Sequence, residues 1–179
     1  MGRRLQARRA GETGVKSGIP QPREGAPGAL GAQPNLGATP EEARAELNDR
    51  CNAIEECYEF MLAYAAQGLR IEPGGGSGSQ IRTFLMSADK ALDGLADVFT
   101  NIVKTDRLTP SAPYDTFIAV LKRDASDARA AIGLALVQPS ISSQLVDNLN
   151  ASIHVRALLT DLFLIDEIVR PEAATQAGS

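Results

Sequence analysis

Two cysteines, one histidine and no tryptophan stand in a chain of 179 residues, and aromatic residues make up only 4% of it. Two cysteines are too few for a disulfide framework, so a reducing compartment is the expectation. A single histidine excludes the paired Glu-x-x-His motifs of a carboxylate-bridged di-metal bundle. The position three before His154 is Ala151 in any case. No run of 18 apolar residues occurs, which argues against a membrane-spanning helix. No continuous apolar stretch follows the N-terminal arginines, as a secretory signal requires. Together these absences suggest a soluble, cytoplasmic protein.

Catalytic signatures are missing too. No Gly-x-Ser-x-Gly element follows a strand pattern, and no dinucleotide-binding fingerprint is present. The stretch Pro73–Ser79 reads Pro-Gly-Gly-Gly-Ser-Gly-Ser. It lacks the lysine of a phosphate-binding loop and has the chemistry of a flexible linker between helices. Neither a cofactor, a metal site nor an enzymatic activity is expected.

What the chain does have is periodicity. Hydrophobic residues make up 44% of it, with few aromatics among them, a composition suited to helix-on-helix packing. Leu47, Cys51, Ile54, Tyr58, Met61 and Ala65 recur at spacings of four and three. So do Ile81, Leu85, Ala88, Leu92, Leu95, Phe99 and Ile102, and again Tyr114, Ile118, Leu121, Ala125, Ala128, Ile132 and Ala135. Each set lies on one stripe of an α-helix. Helices are thus predicted over about residues 40–68, 79–103 and 113–137, with a fourth from about 139 to 169. Thr39, Pro40 and Glu42 mark the first start as a capping box. Gly68 suits its end. Gly94 is expected inside the second helix at a cost of about 1 kcal/mol. The fold class that follows is all-α: an antiparallel four-helix bundle over residues 39–170, with disordered ends at 1–38 and 171–179.

Charge is divided unevenly. Residues 1–39 hold six basic and two acidic side chains, a net +4, and the other 140 residues hold 12 basic and 20 acidic, a net −8. An acidic folded part is a poor ligand for nucleic acid. The basic tail is read as an arm for RNA, DNA or an acidic membrane surface, an organelle transit segment, a docking segment, or a leader without a role. Asp89, Asp93 and Asp97 form an acidic row, read as a solvated face. Glu55, Glu56 and Glu59 are read as an acidic outer face. Lys122, Arg123, Asp127 and Arg129 supply the outer side of the third helix, with Arg123 and Asp127 placed to pair.

The fourth helix is apolar on nearly every side in its second half, through Leu158, Leu159, Leu162, Phe163, Leu164, Ile165, Ile168 and Val169. Such a helix is either enclosed or presents surface to a partner. The leading functional reading is a non-enzymatic interaction protein, an adaptor, assembly factor or chaperone-like regulator, binding a protein partner or a second copy. Its contact residues are Leu158, Leu162, Phe163 and Ile165, with Tyr58, Phe60 and Tyr64 as a second patch. One alternative is a histidine phosphotransfer module using His154, flanked on its face by Asp147 and Asp161. Another is a small-molecule or cofactor carrier with its ligand between helices. Cys51 and Cys57, about 240° apart around one helix, are read as small apolar fillers.

Overall fold

A computed structural model of the chain describes residues 39–66 and 76–169. The tail 1–38, the end 170–179, the expected stop at Gly68 and the linker residues 73–75 lie outside the described residues. Six helices make up the described part: α1 (Pro40–Ala66), α2 (Gly76–Leu92), α3 (Leu95–Thr105), α4 (Ser111–Leu136), α5 (Ser143–Ala151) and α6 (Ile153–Val169). No strand occurs among the described residues.

The capping box forms as its chemistry requires. The Glu42 N–H donates to Thr39 Oγ1 at 3.2 Å, and the Thr39 N–H donates to Glu42 Oε2 at 2.8 Å. Two orphan donors at the start of α1 are thereby satisfied. The three apolar stripes hold as well, and most of their members are buried.

Four expected helices nevertheless become six segments. Gly94 does not continue a helix; it adopts φ 75°, the left-handed region, and its carbonyl accepts from Asp97 and Val98 to start α3. Glycine reaches that region without the Cβ clash other residues meet. Ser152 makes the second break. Its ψ of 129° is extended, so α5 stops and α6 begins at the next residue. Three other boundaries shift. Residues 76–79 form the first turn of α2 and not a linker. Pro113 lies inside the first turn of α4, where its missing N–H leaves no intrahelical bond unmade. The fourth expected helix starts at Ser143, because Ser142 Oγ caps it by accepting from Leu145 N–H at 3.1 Å.

α1 packs against α2, α3 and α5, and α4 packs against α2, α3 and α6. The core between them takes Leu47, Ile54 and Met61 from α1, Leu85 from α2, Phe99 from α3 and Leu121 from α4. α6 adds Leu158, Leu162 and Ile165. Phe60 and Phe84 stack with ring centres 4.3 Å apart, joining α1 to α2. α6 rests chiefly on α4 and only grazes α1.

Arginines from neighbouring helices close two of the helix ends. Arg50 on α1 is fully buried. Its Nη1 donates to the carbonyls of Ala91 (2.9 Å) and Asp93, at the break after α2. Its Nε and Nη2 donate to Glu46 Oε1 at 3.1 and 2.9 Å. Carbonyls at a helix C-terminus have no partner inside the helix, and the guanidinium supplies one. Arg82 on α2 does the same for α4, donating to the carbonyls of Leu136 and, at 2.8 Å, Gln138. Tyr64 Oη, also buried, donates to the Ile141 carbonyl at 2.9 Å and holds the entry to α5 against α1.

Candidate functional site

The chemistry-bearing side chains collect along both sides of α6. On the α4 side, Asp161 is 7% exposed and meets Asp124. Its Oδ2 has no hydrogen-bond partner. Burial first, and then the charge of Asp124, pushes the Asp161 carboxyl up to about 6; in its protonated form it donates to Asp124. Two helical turns earlier, His154 Nδ1 stands 3.8 Å from Asp127 Oδ2, with both side chains about half exposed. That is beyond hydrogen-bond distance, and it becomes an ion pair when the imidazole is protonated.

The expected grouping around His154 is therefore rearranged. Asp161 faces Asp124, and Asp147 lies across the Ser152 break in a cleft between α1 and α5. Asp127, expected to pair with Arg123, approaches His154. Arg129, expected on the outer side of its helix, reaches across to α2. It donates to Asp89 Oδ1 at 3.1 Å and to Asp93 Oδ1 at 2.6 Å, tying α4 to two members of the acidic row. The hydrogen bond from Arg129 to Asp89 is the main reason its own pKa rises.

On the α1 side, Asp166 lies beside Cys51 and Glu55. Burial, then Asp166, then Glu59 raise the Glu55 carboxyl. Burial, with Glu55 and Asp166 behind it, pushes the Cys51 thiol up to about 12. Burial alone does the same to Cys57. Neither thiol is poised as a nucleophile, since the thiolate is the reactive form. Among the described residues no group of three or more His, Cys, Asp or Glu is arranged to hold a metal ion.

Two clefts open on this face. One, of about 350 Å³, lies between α1 and α5 and is lined by Leu62, Ala65, Gln144, Asp147 and Asn150. Asn150 is buried there with neither amide atom hydrogen-bonded. The other, of about 260 Å³, lies between α1 and α6, with Leu47, Cys51, Ile165, Asp166 and Val169 among its walls.

The residues expected to meet a partner are split by the structure. Leu158, Leu162 and Ile165 are buried in the core, and so are Phe60 and Tyr64. Tyr58 is half-buried against the core. Phe163 is exposed, and Leu164 and Ile168, not singled out as contact residues from the sequence, are exposed beside it. The apolar excess of the last helix is thus divided: one side builds the core and the other faces outward. Sequence reasoning missed Arg50 entirely. Its one signal was a cation at the edge of the first stripe, four residues after Glu46 and three after Leu47. No known family matches this chain, and no curated protein or solved structure does either.

Proposed function

We propose that the chain is a non-enzymatic interaction protein, an adaptor, assembly factor or chaperone-like regulator, whose contact surface is the outward side of α6. One observation carries the reading. Within six residues, Phe163, Leu164 and Ile168 are 59%, 50% and 45% exposed. Large apolar side chains gathered on one element mark interaction surface more often than chance exposure does. At about 100° per residue, Phe163 sits beyond Asp166 on the α1 flank, while Leu164 and Ile168 sit beside Asp161 on the α4 flank. The outward side of α6 is therefore a ridge with two apolar shoulders.

The scaffold behind this ridge is read as four antiparallel rods, with α2–α3 and α5–α6 each one bent rod. Two observations support that reading. Asp166 lies beside Cys51 near the middle of α1, whereas Asp147 lies near Leu62 and Ala65 at its end. Residue numbers along α5–α6 therefore rise as those along α1 fall.

The experiment is light scattering at several concentrations on the full chain and on a Phe163→Asp, Leu164→Asp, Ile168→Asp variant, with affinity capture from lysate run in parallel. Association or capture that the variant loses, at unchanged helicity, supports the reading. Identical behaviour of the two proteins overturns it.

A second reading keeps one observation: His154 is exposed on a helix surface, where an imidazole can accept a phosphoryl group. Asp127 beside it opposes the approach of a phosphate. Acid-labile phosphorylation lost on His154→Ala is the result that favours this reading.

A further inference from the structure

Of the described residues lining the cleft between α1 and α5, only Asn150 is buried. It is 8% exposed, and neither its Nδ2 nor its Oδ1 has a hydrogen-bond partner. A side-chain amide carries both donors and an acceptor, and leaving all of them unmet inside a protein costs stability. The cleft that Asn150 lines holds about 350 Å³, within the range of small-molecule sites. What the amide lacks is a partner that enters this cleft.

The other walls define the chemistry of that partner. Asp147 lies one turn before Asn150 on α5, so the two side chains leave the helix about 60° apart, on one side of it. The Asp147 side chain is exposed and makes no ion pair among the described residues. Gln144, a further turn back, is taken up with Asn148, donating to its Oδ1 at 3.4 Å. α1 contributes Leu62, a large apolar side chain 47% exposed, and Ala65. A carboxylate selects a cation, and an apolar wall selects an aliphatic chain. A carboxamide selects an edge that carries a carbonyl and an N–H side by side. Primary carboxamides and lactams have that edge. A trans peptide bond directs its N–H and carbonyl to opposite sides and does not.

We propose that the cleft between α1 and α5 binds a small aliphatic ammonium compound bearing a primary carboxamide or a lactam. Asn150 exchanges a pair of hydrogen bonds with the amide edge, Asp147 holds the ammonium, and Leu62 and Ala65 cover the aliphatic part. Binding satisfies the buried amide and ties α5 to the end of α1. The inference shares no residue with the α6 ridge and stands whether or not that ridge meets a partner.

The probe is L-leucinamide, which joins an ammonium, an isobutyl group and a primary carboxamide in one molecule. Titrated into the full chain carrying isotopically labelled asparagine, it should shift the Asn150 side-chain amide resonances in NMR spectra, with a Kd on the order of 1 mM for a ligand of its size. Asn150→Leu removes the amide and keeps most of its volume. It should abolish binding while leaving the thermal midpoint unchanged or higher, so that lost binding is not lost fold. Asp147→Asn should weaken binding by about tenfold. N-acetyl-leucinamide, which lacks the charge, should bind the wild type as weakly as leucinamide binds that variant. Asn150 resonances that stay still under the probe and show a long-lived bound water give the cleft to water and overturn the proposal. Binding that survives Asn150→Leu, or that N-acetyl-leucinamide reproduces in full, overturns it as well.

Discussion

Arg50 and Asp161 are both buried, and their surroundings treat them differently. The Arg50 guanidinium spends its donors on two main-chain carbonyls and on Glu46, so little of its hydrogen-bonding capacity is left over. Asp161 sits against another carboxyl and leaves one oxygen without a partner. A buried ion is tolerated when its lone pairs and protons are satisfied, and penalised when they are not. The seam between α1 and the α2–α3 break is therefore fixed by its polar group, and the seam between α4 and α6 is loosened by its own. Asn150 repeats the second pattern on α5, with neither amide atom bonded. The unsatisfied buried side-chain atoms of the described residues thus fall on α5 and α6, the same stretch that opens both clefts. Local opening follows such differences in satisfaction.

Five substitutions test that contrast. The largest effect is expected at the fixed seam. Arg50→Met should lower stability by about 3–5 kcal/mol in urea unfolding, because it strands the carbonyls of Ala91 and Asp93. A loss under about 1 kcal/mol would mean that water replaces the guanidinium and that the seam is not fixed by it.

The second effect has the opposite sign and a pH signature. Asp161 ionises near pH 6 in the folded chain, according to its raised value, against about 3.9 unfolded. Between those values the native state holds more protons than the unfolded state. Its contribution to stability is therefore present at low pH and is lost as pH rises from about 4 through about 6. Asp161→Asn should remove that loss, raising stability by about 1–3 kcal/mol near pH 7 and by little near pH 4. A gain equal at both pH values would place the cause in packing and not in charge.

The third compares the two breaks. Gly94→Ala forces a Cβ into φ 75°, where space is open and only the backbone objects. A loss of about 1–2 kcal/mol is expected. Ser152→Ala, at an extended ψ that any residue adopts, should change thermal midpoint far less. Last, Tyr64→Phe should cost about 1 kcal/mol by leaving the buried Ile141 carbonyl without its donor.

The stripes and the capping box were legible because both are local: the first follows from a 3.6-residue period and the second from three side chains in one turn. The breaks were less legible for a different reason each. Asp93-Gly94 is a turn dipeptide that the apolar stripe running through it outvoted. Ser152 carries no comparable signal, since a lone serine sits in helices and at their ends alike. The exposure of Phe163 and the burial of Leu162, its neighbour, are legible only once α6 is known to lie on α4. Periodicity sets angles around a helix, and an all-round apolar segment offers no angle to choose by. Arg50, Arg82 and Asp161 depend on contacts across the chain, which no local pattern encodes.

Those long-range contacts bear on how the protein comes apart. The donors that close the ends of α2 and α4 and anchor the start of α5 come from 43, 56 and 77 residues away. None of these ends is complete until a distant helix has docked. Partly assembled subsets of helices carry open carbonyls at their termini, so formation of one helix is conditional on another. The described helices should melt together in a single transition by circular dichroism, and a fragment lacking α1 loses the closure of α2 and the anchor of α5 at once.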